Sequence, residues 1–250
     1  MTKKNILVAI IVISLFACKK SNTDTKDTDN GLPTAPETKP QYDNTAFGVY
    51  KGVIIGSSGY IIFRINNGDN IVKGYLTMDN QKDTLTTTTV LVSGQPISNI
   101  LFTGRISSMR LSANANGSNS TLSEIRINGH NNVTGFISHE ESTKQVFCYE
   151  GTFSGGINNI TGIINATRVG TGKESNDTTW MLAKLTNDSM LYRGYGWVNK
   201  DTTYAYLNGY RVGQPADFSI KGTGNSNLNI LNGTWSGYFG KGEFTSKRTY

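Results

Sequence analysis

The chain of 250 residues carries 24 Lys and Arg against 18 Asp and Glu, a formal net charge of +6, with 28 glycines and two cysteines. Its basic residues are scattered and form no dense block of the kind that tracks a phosphate backbone, which excludes nucleic acid as the expected partner. It also lacks a Gly-x-Ser-x-Gly elbow, a phosphate-cradling glycine loop and a dinucleotide fingerprint, so no cofactor is implied.

In chain order, Lys3 and Lys4 give a positive start, and Ile6 to Phe16, interrupted only by Ser14, gives an apolar run of eleven residues. A helix of that length reaches only ~16 Å, against a hydrocarbon core of ~30 Å, so residues 1–17 read as a secretory signal helix and not as a span. Without Lys3 and Lys4 the remainder holds 22 basic and 18 acidic residues, a charge near +4.

The run ends in Leu15-Phe16-Ala17-Cys18, which resembles the lipobox of bacterial lipoproteins. That resemblance implies that Cys18 is lipidated and becomes the mature N-terminus, with the membrane as a partner through the lipid anchor. In the same resemblance Lys19, where Asp would signal inner-membrane retention, favours the outer membrane. With Cys18 lipidated, Cys148 has no disulfide partner; it sits in a strand-like run and reads as a small buried hydrophobe.

Residues 18–45 follow as a Ser, Thr, Asp, Lys and Pro-rich segment with Pro33, Pro36 and Pro40. It holds too little apolar surface to offset its ordering entropy and is expected to be a disordered tether, spanning ~29 Å as a flexible chain.

From residue 46 to 250 short runs rich in Val, Ile, Thr, Tyr and Phe alternate with Gly and Asn turns, the pattern of an all-β domain. The expected strands are Phe47–Ile55, Tyr60–Asn66, Ile71–Met78, Thr84–Val92, Asn99–Ser107, Leu122–Asn128, Val133–Ser138, Gln145–Phe153, Ile160–Val169, Trp180–Leu185, Leu191–Val198, Thr203–Tyr210, Phe218–Lys221, Leu228–Tyr238 and Gly242–Arg248. A five-residue word recurs at Gly48-Val49-Tyr50-Lys51-Gly52, Gly151-Thr152-Phe153-Ser154-Gly155 and Gly233-Thr234-Trp235-Ser236-Gly237, each followed by a strand ending in Arg64, Arg168 or Arg248. A second word appears at Lys73-Gly74-Tyr75, Thr134-Gly135-Phe136 and Arg193-Gly194-Tyr195. The repeats suggest a duplication near residues 140–150. They predict an antiparallel meander closing into one barrel or two related sub-barrels, the glycines letting a neighbouring backbone cross closely. In architecture alone this is similar to up-and-down binding barrels such as the avidins and lipocalins.

Alternation places Arg193, Tyr195 and Trp197 on one face of one strand and Tyr204, Tyr206 and Tyr210 on one face of the next. Brought together they form an aromatic plate suited to a glycan or small ligand; the alternative is that these faces are core. His139-Glu140-Glu141 lacks the second histidine of a zinc-protease motif, and neither His130 nor His139 has a partner in sequence, so no metal site is expected. Asp-Ser/Thr triplets at Thr84, Thr178, Ser189 and Thr202, in or beside expected turns, are similar to the O-glycosylation signal of some bacterial envelope proteins. The expected function is a non-catalytic binding or interaction role, toward a glycan, small ligand or protein partner, for a lipid-anchored envelope protein. The alternatives are an envelope glycosidase with paired carboxylates, and an integral outer-membrane barrel, disfavoured by Ser246 and Arg248 on alternating positions of the last strand.

Overall fold

The computed structural model describes residues 31–170, 177–186, 191–198, 205–211, 218–224, 229–237 and 240–250. After a 3-10 turn at Pro40–Tyr42 the chain is all-β and antiparallel throughout. The first eight strands are β1 (Gly48–Ile55), β2 (Ser58–Ile65), β3 (Val72–Met78), β4 (Gln81–Thr86), β5 (Ile97–Thr103), β6 (Ser107–Ala113), β7 (Thr121–Ile127) and β8 (Thr134–His139). The second eight are β9 (Gln145–Gly155), β10 (Ile160–Gly170), β11 (Asp177–Leu185), β12 (Leu191–Val198), β13 (Ala205–Arg211), β14 (Phe218–Gly224), β15 (Ile230–Gly237) and β16 (Gly240–Arg248).

Each set is a meander whose last strand returns to its first: β8 pairs with β1, and β16 pairs with β9. The second set is a closed barrel, while the first is open between β7 and β8. The β6–β7 register slips where Glu124 takes a left-handed φ of 46°, a bulge that bends β7 away from a continuous ladder. Across the opening the Ser120 hydroxyl donates to the Ile137 carbonyl at 3.0 Å, and the side chains of Leu122 and Ile125 lie over Gly135.

The five-residue word explains how both units are filled. Tyr50, Phe153 and Trp235 all point inward and are buried, the first in the core of the open barrel and the other two in the core of the closed one. A Cβ on Gly52, Gly151 or Gly233 would overlap the carbonyl oxygen of Phe136, Thr245 or Lys221 on the adjacent strand. Each inward ring thus sits two residues from a point where strands approach too closely for any side chain.

The closed barrel packs Phe147, Met181, Ile220 and Phe244 inside, with the buried ion pair Arg168–Asp177 and Arg248 beside the Phe147 ring, and its outer face carries Thr152, Ser154, Asn232, Lys241, Glu243 and Thr245, all exposed. A lipid-embedded barrel needs an apolar band on its outer face, where these residues are polar.

Three strand expectations differ from the structure. The expected strand Asn99–Ser107 is cut by a turn at residues 104–106, where the Gly104 N–H donates to Ser107 O at 2.8 Å, so that β5 ends at Thr103 and Ser107 opens β6. β6 was not expected: Ser107, Met109, Leu111 and Ala113 face the core in strict alternation, but none is β-branched or aromatic. Conversely β4 stops at Thr86, well short of Val92; Val90 and Val92 are exposed, since high β-propensity makes no strand without a partner surface.

Within the segment expected to be a tether, residues 31–45 are placed against the barrels. Pro33 O accepts from Gln145 Nε2 at 2.8 Å and from the Arg248 guanidinium, Thr38 is buried, and its hydroxyl accepts from the Val49 N–H at 2.9 Å. Composition undercounts such a segment because it is held by polar contacts to the barrels and not by apolar burial of its own.

Candidate functional site

Every residue of β1 is buried, because this strand has two packed faces. Tyr50 and Ile54 enter the open barrel, whereas Val53 and Ile55 join Cys148 of β9 and Leu182 of β11 in a separate apolar cluster between the barrels. Polar groups cross this seam: Asn165 Nδ2 donates to Ile54 O at 2.7 Å, Lys184 Nζ to Gly56 O at 3.0 Å, and Cys148 Sγ to Gly52 O at 3.4 Å. Burial pushes the Cys148 thiol up to about 12, so it is an inert packing group.

At one end of the seam the N-terminal segment is clasped by charge. Lys51 Nζ, fully buried on β1, lies 2.6 Å from Glu140 Oε1 and 3.1 Å from Glu37 Oε2. Glu140, also fully buried, accepts from the backbone N–H groups of Glu37 (2.6 Å), Thr38 (3.3 Å) and Val146 (3.0 Å). Glu37 further pairs with Arg64 and accepts from the Tyr250 hydroxyl at 2.8 Å. Burial works to raise the Glu37 carboxyl, but Lys51, Arg64 and Tyr250 outweigh it and hold it below the usual range. These two carboxylates share one ammonium, as a glycosidase pair would share a substrate. Yet Glu140 is saturated by four donors and shut from solvent, which makes the arrangement structural.

The neighbouring His139 is structural too. Its Nε2–H donates to Phe47 O at 2.9 Å and its ring lies 4.7 Å from Tyr50, while burial keeps its pKa below the ordinary value and the imidazole neutral. Among the described residues no group of three His, Cys, Asp or Glu is placed to hold a metal ion.

One flank of the seam presents aromatic rings to solvent. Trp180 of β11 sits directly opposite Tyr195 of β12, their centroids 6.1 Å apart, and they are 38% and 47% exposed. On its other side Trp180 meets Phe136 of β8 at 5.6 Å. The Arg193 guanidinium lies 5.7 Å above the Phe136 ring and donates to the Thr134 hydroxyl. The result is a strip Phe136–Trp180–Tyr195 that crosses from one barrel to the other, with Arg193 along its edge.

Of the expected plate, the structure thus brings Arg193 and Tyr195 together at an exposed surface. Register pairs Trp197 with Tyr206 and Arg193 with Tyr210 across β12 and β13, but Tyr204 and the side chains of Trp197, Tyr206 and Tyr210 lie outside the described residues. Phe136 and Trp180 were not expected there. The second repeated word was a usable signal for Phe136, since Thr134-Gly135-Phe136 and Arg193-Gly194-Tyr195 are the two copies that meet.

Thr84 and Thr178 are exposed but stand within β4 and β11, not in turns, and Ser189 and Thr202 lie outside the described residues. The Asp before Thr84 has its own role. Asp83 accepts from the N–H groups of Arg105 and Ile106, each at 3.0 Å, and from the Ser107 hydroxyl at 2.7 Å, fixing the β5–β6 turn. Burial acts to raise its pKa, and these bonds bring it below the ordinary carboxylate range.

No family model matches the chain, and neither a characterised protein nor a solved structure matches it.

Proposed function

We propose that the chain is a lipid-anchored protein of the bacterial outer membrane whose role is binding, and that the aromatic strip at the seam receives a glycan. The exposure of Trp180 and Tyr195, adjacent where the two barrels meet, is the observation that supports it. Adjacent exposed rings, tilted 45° and 53° to their neighbours, offer large contact area at little entropic cost to the faces of sugar rings, and Arg193 supplies donors to their hydroxyls. Binding is favoured over hydrolysis because the close carboxylates Glu37 and Glu140 are occupied by Lys51 and backbone N–H groups. The anchor rests on Cys18 at the end of the apolar run.

Co-sedimentation with insoluble polysaccharides, including peptidoglycan, tests the strip. The wild-type protein is expected to sediment with at least one of them. Replacing Trp180 and Tyr195 together by Ala should cut the bound fraction tenfold or more at an expense of roughly 1 kcal/mol of stability per ring. Unchanged sedimentation of the double variant, or none by the wild type, would remove the strip as a site. For the anchor, Cys18→Ser is expected to abolish acylation and leave uncleaved precursor at the inner membrane; normal mature size in the outer-membrane fraction would overturn it.

A further inference from the structure

The opposite flank of the seam is a cleft of about 540 Å³ with mixed polar and apolar walls, formed by β2 and the β3–β4 turn of the open barrel, by β9 and β16 of the closed one and by Leu32 of the N-terminal segment. That volume lies in the ~300–1,000 Å³ range of small-molecule sites. Its groups are held in place from behind. Asp79 and Asn80 form a two-residue hairpin turn with φ of 49° and 62°, the left-handed pair of a type I′ turn. The Asp79 carboxylate accepts from the Ser57 hydroxyl, and His130 Nε2 lies 3.5 Å from its other oxygen. Across the cleft Glu150 accepts from the Ser58 hydroxyl, whose oxygen is 3.3 Å from the amide oxygen of Asn165 in the buried seam. Lys247 stands directly opposite Glu150 on the β9–β16 ladder, yet no ion pair joins them among the described residues. Tyr60 adds a half-buried ring backed by Tyr250 at 5.8 Å.

We infer that this cleft is a second binding site, for a neutral saccharide of two or three rings. Asp79 and Glu150 on its walls disfavour a polyanion, and Lys247 and Arg248 on the same walls disfavour a polycation. A neutral polyol satisfies all of these groups. Vicinal hydroxyls donate to Asp79 and Glu150, Lys247 and the Asn80 amide donate to hydroxyl or ring oxygens, and the C–H face of a sugar packs on Tyr60. The inference rests on residues separate from the aromatic strip.

Saturation-transfer NMR on the full-length protein in a sugar-free detergent, with maltotriose, cellotriose and triacetylchitotriose as probes, tests it. At least one trisaccharide is expected to give a saturable signal. Asp79→Asn and Glu150→Gln, which keep side-chain shape and hydrogen-bonding capacity to Ser57 and Ser58, should each weaken binding tenfold or more without shifting the melting temperature by more than a few degrees. The double replacement of Trp180 and Tyr195 should leave this binding in place. No saturable signal from any of the three probes, or binding unchanged in both cleft variants, overturns the site. Binding lost with Trp180 and Tyr195 but kept in Asp79→Asn and Glu150→Gln would also overturn it, while leaving the aromatic strip as the glycan surface.

Discussion

Glu140→Ala is expected to destabilise the protein by ~3–5 kcal/mol, lowering its melting temperature by roughly 10 °C or more. The substitution leaves Lys51 buried with only Glu37 to compensate it, and strips an acceptor from the N–H groups of Glu37, Thr38 and Val146. Each buried donor so orphaned costs ~1–3 kcal/mol on its own. A thermal melt checks this; a shift within a few degrees would mean that the clasp contributes little. The same cluster sets the response to acid. Because the Glu37 carboxyl is held below its ordinary value of 4.5, its contribution is complete above about pH 4.5 and is lost as the pH falls through the lower folded value. Glu37→Gln should therefore show a lower melting temperature at neutral pH and a shallower decline below pH 4.5.

Trp235→Ala is the second substitution with a large expected effect, ~3–5 kcal/mol. Trp235 is 1% exposed, packs edge-on to Phe153 at 5.8 Å and donates from Nε1 to Ser154 O at 3.0 Å. Its removal empties the middle of the closed barrel and leaves a carbonyl without its donor, but touches nothing in the open one. Calorimetry should show the transition that includes the closed barrel lowered by roughly 10 °C or more. A single transition at the wild-type temperature would show that the ring does not carry the core.

The fold was legible because its signals are local. Alternating Val, Ile and Tyr between Gly and Asn turns announced most strands, and the Gly-x-aromatic-x-Gly word marked β1, β9 and β15, where inward rings and close backbone crossings coincide. The seam was not legible in the same way. Nothing near Lys51 in sequence indicates a charge destined for full burial, since its partners Glu37 and Glu140 come from separate segments. The strip was half legible: Tyr195 and Arg193 stood out by alternation, whereas Trp180 joins through strand pairing and Phe136 from the other barrel. Burial that arises between two units leaves in sequence only a strand with no polar face, and β1 is that strand.

Cys148 gives the seam a readout of its own. It is the only cysteine besides Cys18, and with Cys18 acylated as proposed it is the sole thiol, fully covered where β9 faces β1. A thiol-reactive dye reaches it only when the barrels part or unfold, so its modification rate clocks that opening without any engineered probe. If the rate tracks global unfolding, the two barrels are one cooperative body; if it runs orders of magnitude faster, they breathe against each other as hinged halves, and the grooves on both flanks open and shut in time with the dye.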